Sequence, residues 1–592
     1  MKRDNFFIKF CAFAVILLCS LIFTKGISAR AYVKLDGTYT YGSLDLAIVD
    51  ASEGSTLTLT EDMKLNDTFI IEKDKNIILD LGGHKLSIEG QKNVVSNKGR
   101  LKIINSGAAN YIVGDSMNVI VNIDGGVLEI ASSNITIGNS SRNQTTYCLA
   151  NEGASAMTIS GNVWLLCERG ISNSGTLVVN SGRINTNYEG IRNKFGGKVT
   201  INDGIIAPYS GDALVNLSGG TAEIFGSVNI TTKSSDVTHY PIKNSGTITI
   251  SLNKDGLIYN DYDAVGKYVA IYNEGSLTLT KGIIEAGCIG VINEIDEMVT
   301  DASFTMNGGT IAVVGDCGTS KYAIGIYTDS QDSKRESNVT IKGGTIDSTG
   351  GEYPFEGNEY YGISARYTKL QVSSAKIYGK HYGIYLRHAA KLSAQGKTEI
   401  VSSIGKGIDC INSTVNMGGG TVSGGTYGIR NKDGDVNVHY GIVNGKEYGI
   451  YALGQTTVGS STGVYAVDPL ISSEGTGVFV GSSGTLVFLN GKIRGINGSI
   501  SGDFTSNHPF GYKLIQANET VGDKVYKYAS HMTSDTDMGG APETEKPGDD
   551  DKNIQSENPN KKRNILIIVA IGAGILLITL LLIPKSKGRR EF

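Results

Sequence analysis

Short runs of alternating apolar and polar residues recur along most of the chain, and glycine or asparagine separates them. Residues 304–311, 339–346 and 415–422 each show an alternating stretch, a glycine-containing corner and a second β-branched stretch. Alternation with a period of two is typical of a β-strand, and no 3.6-residue apolar period competes with it. The pattern therefore predicts short strands joined by tight corners.

These strands form a repeat. In the first half of the chain, an aliphatic residue, any residue and Asn are followed by a short gap and Gly; in the second half the recurring phrase is Gly-Ile, with successive steps of 21, 24, 21 and 21 residues. A unit of this length cannot bury its own apolar face, so the units must stack. The sequence predicts an all-β fold, a single-stranded parallel β-helix (solenoid) in which each coil pairs with its neighbours.

The recurring Asn is predicted to point inward. In the second half of the chain its position is held by Ala365, Leu386, Cys410 and Ala452. Residues that exchange with Leu and Cys face a core, so we expect the amides to stack as an internal ladder bonded to each other and to the backbone, rather than to bind a ligand. The predicted ladder consists of Asn97, Asn151, Asn173, Asn193, Asn216, Asn244, Asn273, Asn293 and Asn431.

The residue before each of these inward positions points outward by the same alternation, and this column is rich in aromatic and charged residues. Its tyrosines are candidate glycan-binding residues: Tyr272, Tyr327, Tyr385 and Tyr451. A second column directly precedes the Gly-Ile phrase and contains Tyr361, Tyr382, Tyr427 and Tyr448. Rings repeated at coil spacing form a platform for sugar rings or stack on one another at a corner, and self-stacking is favoured for the second column.

The two ends of the chain predict secretion and anchoring. Residues 1–31 combine basic residues, an apolar run and Ala29-Arg30-Ala31, as in a cleaved signal peptide. Residues 565–583 are uncharged, span about 28 Å as a helix and precede a basic tail, residues 584–592. We expect a retained transmembrane helix with a cytoplasmic tail, a polar stalk at residues 531–564 and an extracellular solenoid at residues 32–530. The protein is then a single-pass plasma-membrane protein.

Composition excludes several classes of protein. Of 592 residues, 78 are Gly and only 9 are Pro, which excludes collagen and suits a folded chain with many turns. The net charge of −4 becomes more negative once the basic ends are set aside, and an acidic ectodomain argues against nucleic acid as a partner. Five Cys outside the signal form no disulfide framework, so we expect buried thiols.

Three stretches resemble a known superfamily. Residues 77–86 (IILDLGGHKL) are similar to the first-coil phrase of pectate-lyase-like right-handed β-helices, particularly the adhesin-like surface proteins of Gram-positive (Firmicutes) bacteria. Residues 41–59 resemble the start of such proteins, which implies a short N-terminal cap helix at about residues 43–51, and residues 500–528 resemble their closing segment. The resemblance implies a right-handed solenoid. The hydrophobic span and basic tail also resemble Gram-positive wall-sorting ends, although the sortase pentapeptide is missing.

Enzymes of this superfamily place acidic residues and a catalytic Arg or Lys, often with calcium, on one face, and no complete constellation of that kind is present. The nearest catalytic candidates are Arg366, Arg387, His388, Asp409 and Arg430, with a solvated face of ion pairs as the alternative. Asp433-Gly434-Asp435 and Asp261-Tyr262-Asp263 are the nearest calcium candidates, and turn chemistry explains both. We therefore expect no metal and no cofactor.

The leading hypothesis is a membrane-anchored surface protein of the adhesin or glycan-binding kind, whose partner is a surface glycan or a ligand on a neighbouring cell. The alternative is an extracellular polysaccharide lyase or glycoside hydrolase, and the third possibility is a structural spacer.

Overall fold

The computed structural model describes residues 31–533, apart from 116, 133, 140–145, 234–237, 261–268, 296–300, 315–316, 318–321, 332–333, 351–358, 462–467 and 508–511. Three parallel strands make one coil, and each strand pairs with its equivalent one coil earlier and one coil later. The chain is an all-β parallel β-solenoid of about 17 turns, so the predicted architecture is confirmed; its right-handedness stays a prediction.

Each coil contributes one strand to each of three sheets. Sheet 1 contains Ser55–Leu59, Asn76–Asp80, Arg100–Ile104, Val127–Ala131, Ala156–Ser160, Thr176–Val179, Lys198–Ile201, Thr221–Gly226, Thr247–Leu252, Ser276–Lys281, Ser303–Met306, Ser337–Ile341, Thr368–Ser373, Lys391–Gln395, Gln455–Val458, Thr485–Phe488 and Thr505–Ser506. Sheet 2 contains Met63–Leu65, Leu86–Ile88, Asn110–Gly114, Ile135–Asn139, Val163–Leu166, Arg183–Ile184, Ile205–Ile206, Asn229–Thr232, Leu257–Asn260, Ile283–Ala286, Thr310–Val313, Thr345–Ser348, Lys376–Gly379, Glu399–Ser402, Leu470–Ser473 and Lys492–Gly495. Two long strands, Thr414–Gly424 and Asp435–Gly445, run through the corner and belong to both sheets.

Sheet 3 carries the repeated Asn and Gly-Ile phrases. It contains Phe69–Ile71, Val95–Asn97, Ile120–Asn122, Tyr147–Asn151, Arg169–Asn173, Glu189–Asn193, Leu214–Asn216, Ile242–Asn244, Val269–Asn273, Ile289–Ile295, Tyr322–Ser330, Glu359–Arg366, Tyr382–Arg387, Lys406–Ile411, Tyr427–Lys432, Tyr448–Ala452, Thr476–Val480 and Gly498–Ser501. One continuous apolar core, mostly Ile, Val and Leu, runs between the three sheets along the solenoid.

Glycine is required in the Gly-Ile phrase because adjacent coils approach closely there. A Cβ on Gly383 would lie 2.6 Å from the backbone oxygen of Gly407 and 2.7 Å from the side chain of Ile400. In the Gly-Gly-Thr corner the requirement is conformational, since Gly344 has a φ of +92°.

The Asn side chains form a buried ladder in which each Nδ2 donates to the Oδ1 of the next, over 2.6 to 2.8 Å, and also to backbone oxygens. The run includes Asn122, which the sequence reasoning missed although Ile120-Val121-Asn122 fits the phrase as well as the copies at Asn193 and Asn216 do. It ends at Asn293, which faces Thr328. Asn431 lies apart, bonded to Gln455 O and Thr456 Oγ1.

The ends of the solenoid are covered by other elements. A hairpin (Val33–Leu35 and Tyr39–Tyr41) and a helix, α1 (Leu44–Asp50, capped by the Ser43 hydroxyl), lie at the first coil, with Leu44 and Ala47 in the core. The helix lies within the predicted segment, and its function as a cap stays a prediction. At the other end, the hairpin strands Tyr512–Val521 and Lys524–Thr533 pair with the last coil.

In the terminal hairpin Tyr512 pairs with Thr533, and the predicted domain boundary at residue 530 stays a prediction. No helix in the described part of the chain has the length and apolar character needed to cross a bilayer. The predicted signal at residues 1–31 (residue 31 apart), stalk beyond 533, transmembrane helix at 565–583 and tail lie outside the described residues and stay predictions.

The expectation of buried thiols is wrong for four of the five cysteines. Disulfides join Cys148 to Cys167 and Cys288 to Cys317, whereas Cys410 is free and buried. The paired residues are separated by 19 and 29 positions, about one coil each, so stacking brings them onto adjacent coils. A search for C-x-x-C pairs overlooks this spacing, although one-coil separation was a signal in the sequence.

Candidate functional site

The outward column of sheet 3 stays in register across the coils. From one coil to the next its members are Ser172, Arg192, Val215, Lys243, Tyr272, Ile292, Tyr327, Ser364, Tyr385, Asp409, Arg430, Tyr451 and Phe479. The second column runs beside it on the same face, from Tyr361 through Tyr382, Lys406 and Tyr427 to Tyr448. The two columns together concentrate aromatic rings in the C-terminal half of the solenoid.

A first aromatic cluster forms where the columns meet. The rings of Tyr361 and Tyr382 stack with centroids 4.6 Å apart and planes within 5°. Tyr385 is tilted against both, at 5.6 and 5.4 Å, and Tyr322 lies 6.0 Å from Tyr361. Tyr361 is 5% exposed, whereas Tyr322 is 50% exposed at the edge. The predicted self-stacking is therefore present for the first pair of the second column.

A second aromatic cluster lies closer to the C-terminal end. Tyr451 stacks between Tyr427 and Phe479, at 5.3 and 5.1 Å, with planes within 14°. Tyr448 contacts the ring of Tyr451 by its edge at 5.3 Å and Phe479 at 5.4 Å. A shallow depression of about 470 Å³ adjoins Tyr448 and is lined by polar residues that include Glu447, Glu474 and Asn497.

A charged link joins the two clusters. Arg430 binds the carboxylate of Asp409 through both its Nε and a terminal nitrogen, each at 2.7 Å, and Lys406 Nζ lies 3.9 Å from the same carboxylate. Lys406 also lies 4.7 Å from the ring centroid of Tyr382. We call the two clusters and this link the aromatic strip: Tyr322, Tyr361, Tyr382, Tyr385, Lys406, Asp409, Tyr427, Arg430, Tyr448, Tyr451 and Phe479.

Burial favours the protonated form of two phenols in the strip. It raises the pKa of Tyr382 to about 12, and the carboxylates of Glu359 and Asp409 add to that rise. Burial, followed by a hydrogen bond to Glu359, raises the pKa of Tyr361 further. Burial also lowers the pKa of Lys406, although Asp409 opposes that shift. At neutral pH the hydroxyls of Tyr361 and Tyr382 are therefore uncharged, and each can donate and accept hydrogen bonds.

The catalytic candidates lie near each other, but most of them already form ion pairs or ring contacts within the protein. Arg366 and Arg387 are neighbours on adjacent coils. Arg366 Nε donates to Asp329 over 2.8 Å, and Asp329 also accepts from the Tyr327 hydroxyl over 2.9 Å. Arg387 lies 5.6 Å from the centroid of Tyr385, and its Nε is buried without a hydrogen-bond partner.

Of the remaining candidates, Asp409 does not offer a free base. Asp409 is fully buried, and both of its oxygens bind Arg430. His388 is exposed at a turn with a φ of +53°, and its ring lies 5.8 Å from that of Tyr367. A general base must reach its substrate's proton, and Asp409 could do so only after its ion pair had broken.

Two of the predicted glycan-binding tyrosines lie outside the strip. Tyr272 stacks on Tyr240 at 5.1 Å, and its hydroxyl donates to Glu294 over 3.3 Å. Tyr327 is bonded to Asp329, as described above. Of the four candidates, the structure therefore brings Tyr385 and Tyr451 into aromatic clusters. Sequence reasoning missed Tyr322 and Lys406, because neither fits the Tyr-Gly-Ile phrase. For Lys406, which pairs with Tyr382 and Tyr427, the coil spacing was the available signal.

Of the two calcium candidates, only Asp433-Gly434-Asp435 lies within the described residues. Asp433 has a φ of +57°, and the amide of Gly434 donates to Asn431 Oδ1 over 3.1 Å, as in a tight turn. Asp261 and Asp263 lie outside the described residues. In the described part of the chain, no group of three or more His, Cys, Asp and Glu residues could hold a metal ion.

No protein family, curated protein or solved structure matches this chain.

Proposed function

We propose that this chain is a membrane-anchored surface protein whose right-handed solenoid belongs to the pectate-lyase-like type and whose aromatic strip binds an extended glycan. The observation that carries the proposal is the continuity of the strip: aromatic side chains occupy most coils on one face of sheet 3, from Tyr361 to Phe479. Structural stacking alone would not require a hydroxyl on every ring of the strip except that of Phe479.

The hydroxyls of the strip support sugar binding. In the described part of the chain, the hydroxyls of Tyr385, Tyr427, Tyr448 and Tyr451 make no hydrogen bond to the protein. Tyrosine combines an apolar ring with a polar tip, which suits a ligand that has both apolar C–H faces and hydroxyl groups. Burying such rings under a sugar would remove apolar surface from water while giving each hydroxyl a partner.

The spacing of the strip supports an extended ligand. Adjacent coils lie about 4.8 Å apart, which is close to the length of one sugar unit in an extended chain. A polysaccharide that runs along the solenoid axis would therefore place successive units over successive coils. Such a ligand gains affinity with each unit, because every added unit meets another ring.

Other features support an extracellular location. Two disulfides within the solenoid suit an oxidising compartment, in agreement with the expected signal at residues 1–31. Anchoring through residues 565–583 would hold the solenoid at the plasma membrane. The lyase or hydrolase alternative has no comparable support, because Asp409 is paired and buried.

A glycan array tests the proposal with the purified full-length chain and three variants. Tyr385→Ala and Tyr451→Ala each remove one ring from the strip, and Tyr111→Ala removes a 51%-exposed tyrosine from sheet 2 as the matched control. We expect the parent to bind a linear polysaccharide and each strip variant to bind about tenfold more weakly, with the control unchanged.

Two results would overturn this function. Equal binding by the strip variants and the parent, or no binding to any glycan, would reject the strip as the site. Release of unsaturated products or new reducing ends by the parent, lost in Arg387→Ala, would instead establish the enzyme alternative.

A further inference from the structure

Trp164, the only tryptophan in the chain, lies on sheet 2 with its side chain toward solvent. It is 37% exposed, and its neighbours on the adjacent coils are Thr136 and Arg183. Its indole Nε1 donates to Asn162 Oδ1 over 2.7 Å, and the Arg183 guanidinium lies 5.1 Å from the ring centroid. The indole is therefore held in one orientation while much of it remains accessible.

Both residues that hold the indole, Asn162 and Arg183, line a polar depression of about 420 Å³, whose lining does not include Trp164 itself. The depression continues along the corner between sheets 1 and 2, where Asp203, Ser227 and Asn229 contribute its other functional groups. An exposed aromatic side chain thus contacts two of the residues that line a concave surface rich in hydrogen-bonding groups.

Several of these groups have unused hydrogen-bonding capacity in the described part of the chain. Arg183 forms no ion pair, and the Asn229 side chain makes no hydrogen bond. Asp203 uses Oδ1 to accept from the amide of Gly204 over 2.7 Å, which leaves Oδ2 without a protein partner. Planar Arg, Asp and Asn side chains each present two atoms side by side, a geometry that matches pairs of neighbouring hydroxyls.

We propose that this corner, formed by Asn162, Trp164, Arg183, Asp203 and Asn229, is a second saccharide-binding site that takes a neutral hexose unit. The indole would cover the C–H face of the sugar, and the polar side chains would bond its hydroxyls. One cation and one carboxylate line the depression, so an uncharged ligand leaves their charges balanced. The site lies on a different sheet from the aromatic strip, and it does not require the strip to function.

Tryptophan fluorescence gives this site its own readout, because Trp164 is the only tryptophan. The full-length chain is titrated with maltohexaose, cellohexaose and mannohexaose while the indole emission is recorded. We expect at least one of these neutral oligosaccharides to change the emission saturably. Arg183→Gln and Asn229→Ala should each weaken that binding about tenfold, because each removes hydrogen bonds to the sugar.

Two controls separate this site from its surroundings and from the strip. Leu166→Ala removes a 44%-exposed side chain from the same strand and should leave the titration unchanged, as should Tyr451→Ala in the strip. Circular dichroism checks that each variant is folded. Trp164→Ala lacks the fluorescent reporter, so its affinity is measured by calorimetry. We expect it to bind the oligosaccharide about tenfold more weakly than the parent, as expected for Arg183→Gln and Asn229→Ala.

The proposal is overturned if none of the three oligosaccharides alters the emission, or if the Arg183 and Asn229 variants bind as tightly as the parent. If glycan binding on the array depends on Tyr451 but no oligosaccharide changes the Trp164 emission, this second site is rejected and the proposed function of the aromatic strip is retained. Loss of all glycan binding would reject both.

Discussion

The buried polar residues show how single side chains stabilise this solenoid. Asn193 donates to Asn216, Gly197 O and Thr221 O, and accepts from Asn173 through its Oδ1. Each amide thus forms hydrogen bonds with the amides of the coil before it and the coil after it. A buried polar group needs such partners, because without them it would lose its hydrogen bonds to water and gain none in return. The ladder begins at Asn97, whose Oδ1 has no partner because the preceding coil has Ile71 at that position.

Asn193→Ala should therefore be strongly destabilising. It removes both N–H groups, which are shared among three acceptors, and leaves the Asn173 amide without its side-chain acceptor, so we expect a loss of about 2–4 kcal/mol in the free energy of unfolding. Equilibrium denaturation followed by circular dichroism measures the loss. Asn202→Ala, which removes a surface hydrogen bond to Asn180, is the control and should have little effect. Equal stability of the two variants would contradict the role given to the ladder.

His381 should make the stability depend on pH. Its Nδ1 accepts a hydrogen bond from the Tyr360 amide over 3.1 Å, which requires a neutral ring. Burial, followed by the charge of Lys380, lowers the pKa of His381 below its ordinary value of 6.5. The neutral form is therefore favoured in the folded chain, and its contribution is present above the unfolded pKa and lost as the pH falls through the folded pKa.

The pH dependence can be assigned by substitution. We expect the melting temperature of the parent to fall on acidification below the unfolded histidine pKa, and His381→Asn to reduce that fall. His388→Asn, which changes an exposed histidine, is the control. A parent and a His381 variant with parallel pH profiles would show that this histidine does not contribute.

At the scale of the coil, the sequence predicts the repeat well because the core and the corners impose a strict pattern. Alternation identifies the strands, and the Gly-Ile phrase marks the close approach at Gly383. Contacts between coils are harder to predict, because variable loops change the number of residues per coil. The pairing of Cys148 with Cys167, which are one coil apart, depends on that number.

The disulfides lead to a count of thiols. In a chain that begins at residue 32, denatured without reductant, we expect one reactive thiol, that of Cys410, because the other four described cysteines are paired. A thiol-reactive dye gives the number, and mass spectrometry of the unreduced digest should show the two linked peptide pairs. Five reactive thiols per chain would contradict both pairings and remove one argument for an extracellular location.

Over the whole molecule, the candidate site is a long face rather than a pocket. The sequence identified its columns because outward residues repeat at coil spacing, and it identified Tyr385 and Tyr451 as members. It could not predict which charges neutralise each other, since the pairing of Asp409 with Arg430 depends on side-chain geometry across coils. That pairing changes a catalytic candidate into a link between two aromatic clusters.

The dependence of affinity on glycan length tests the extended face most directly. Calorimetry with the full-length chain would use oligosaccharides, from disaccharide to octasaccharide, cut from the polysaccharide that binds best on the array. The account predicts that affinity rises with length and that Tyr451→Ala weakens this rise, whereas Tyr111→Ala does not. A disaccharide that binds as tightly as the octasaccharide, or a Tyr451 variant that equals the parent at every length, would contradict it.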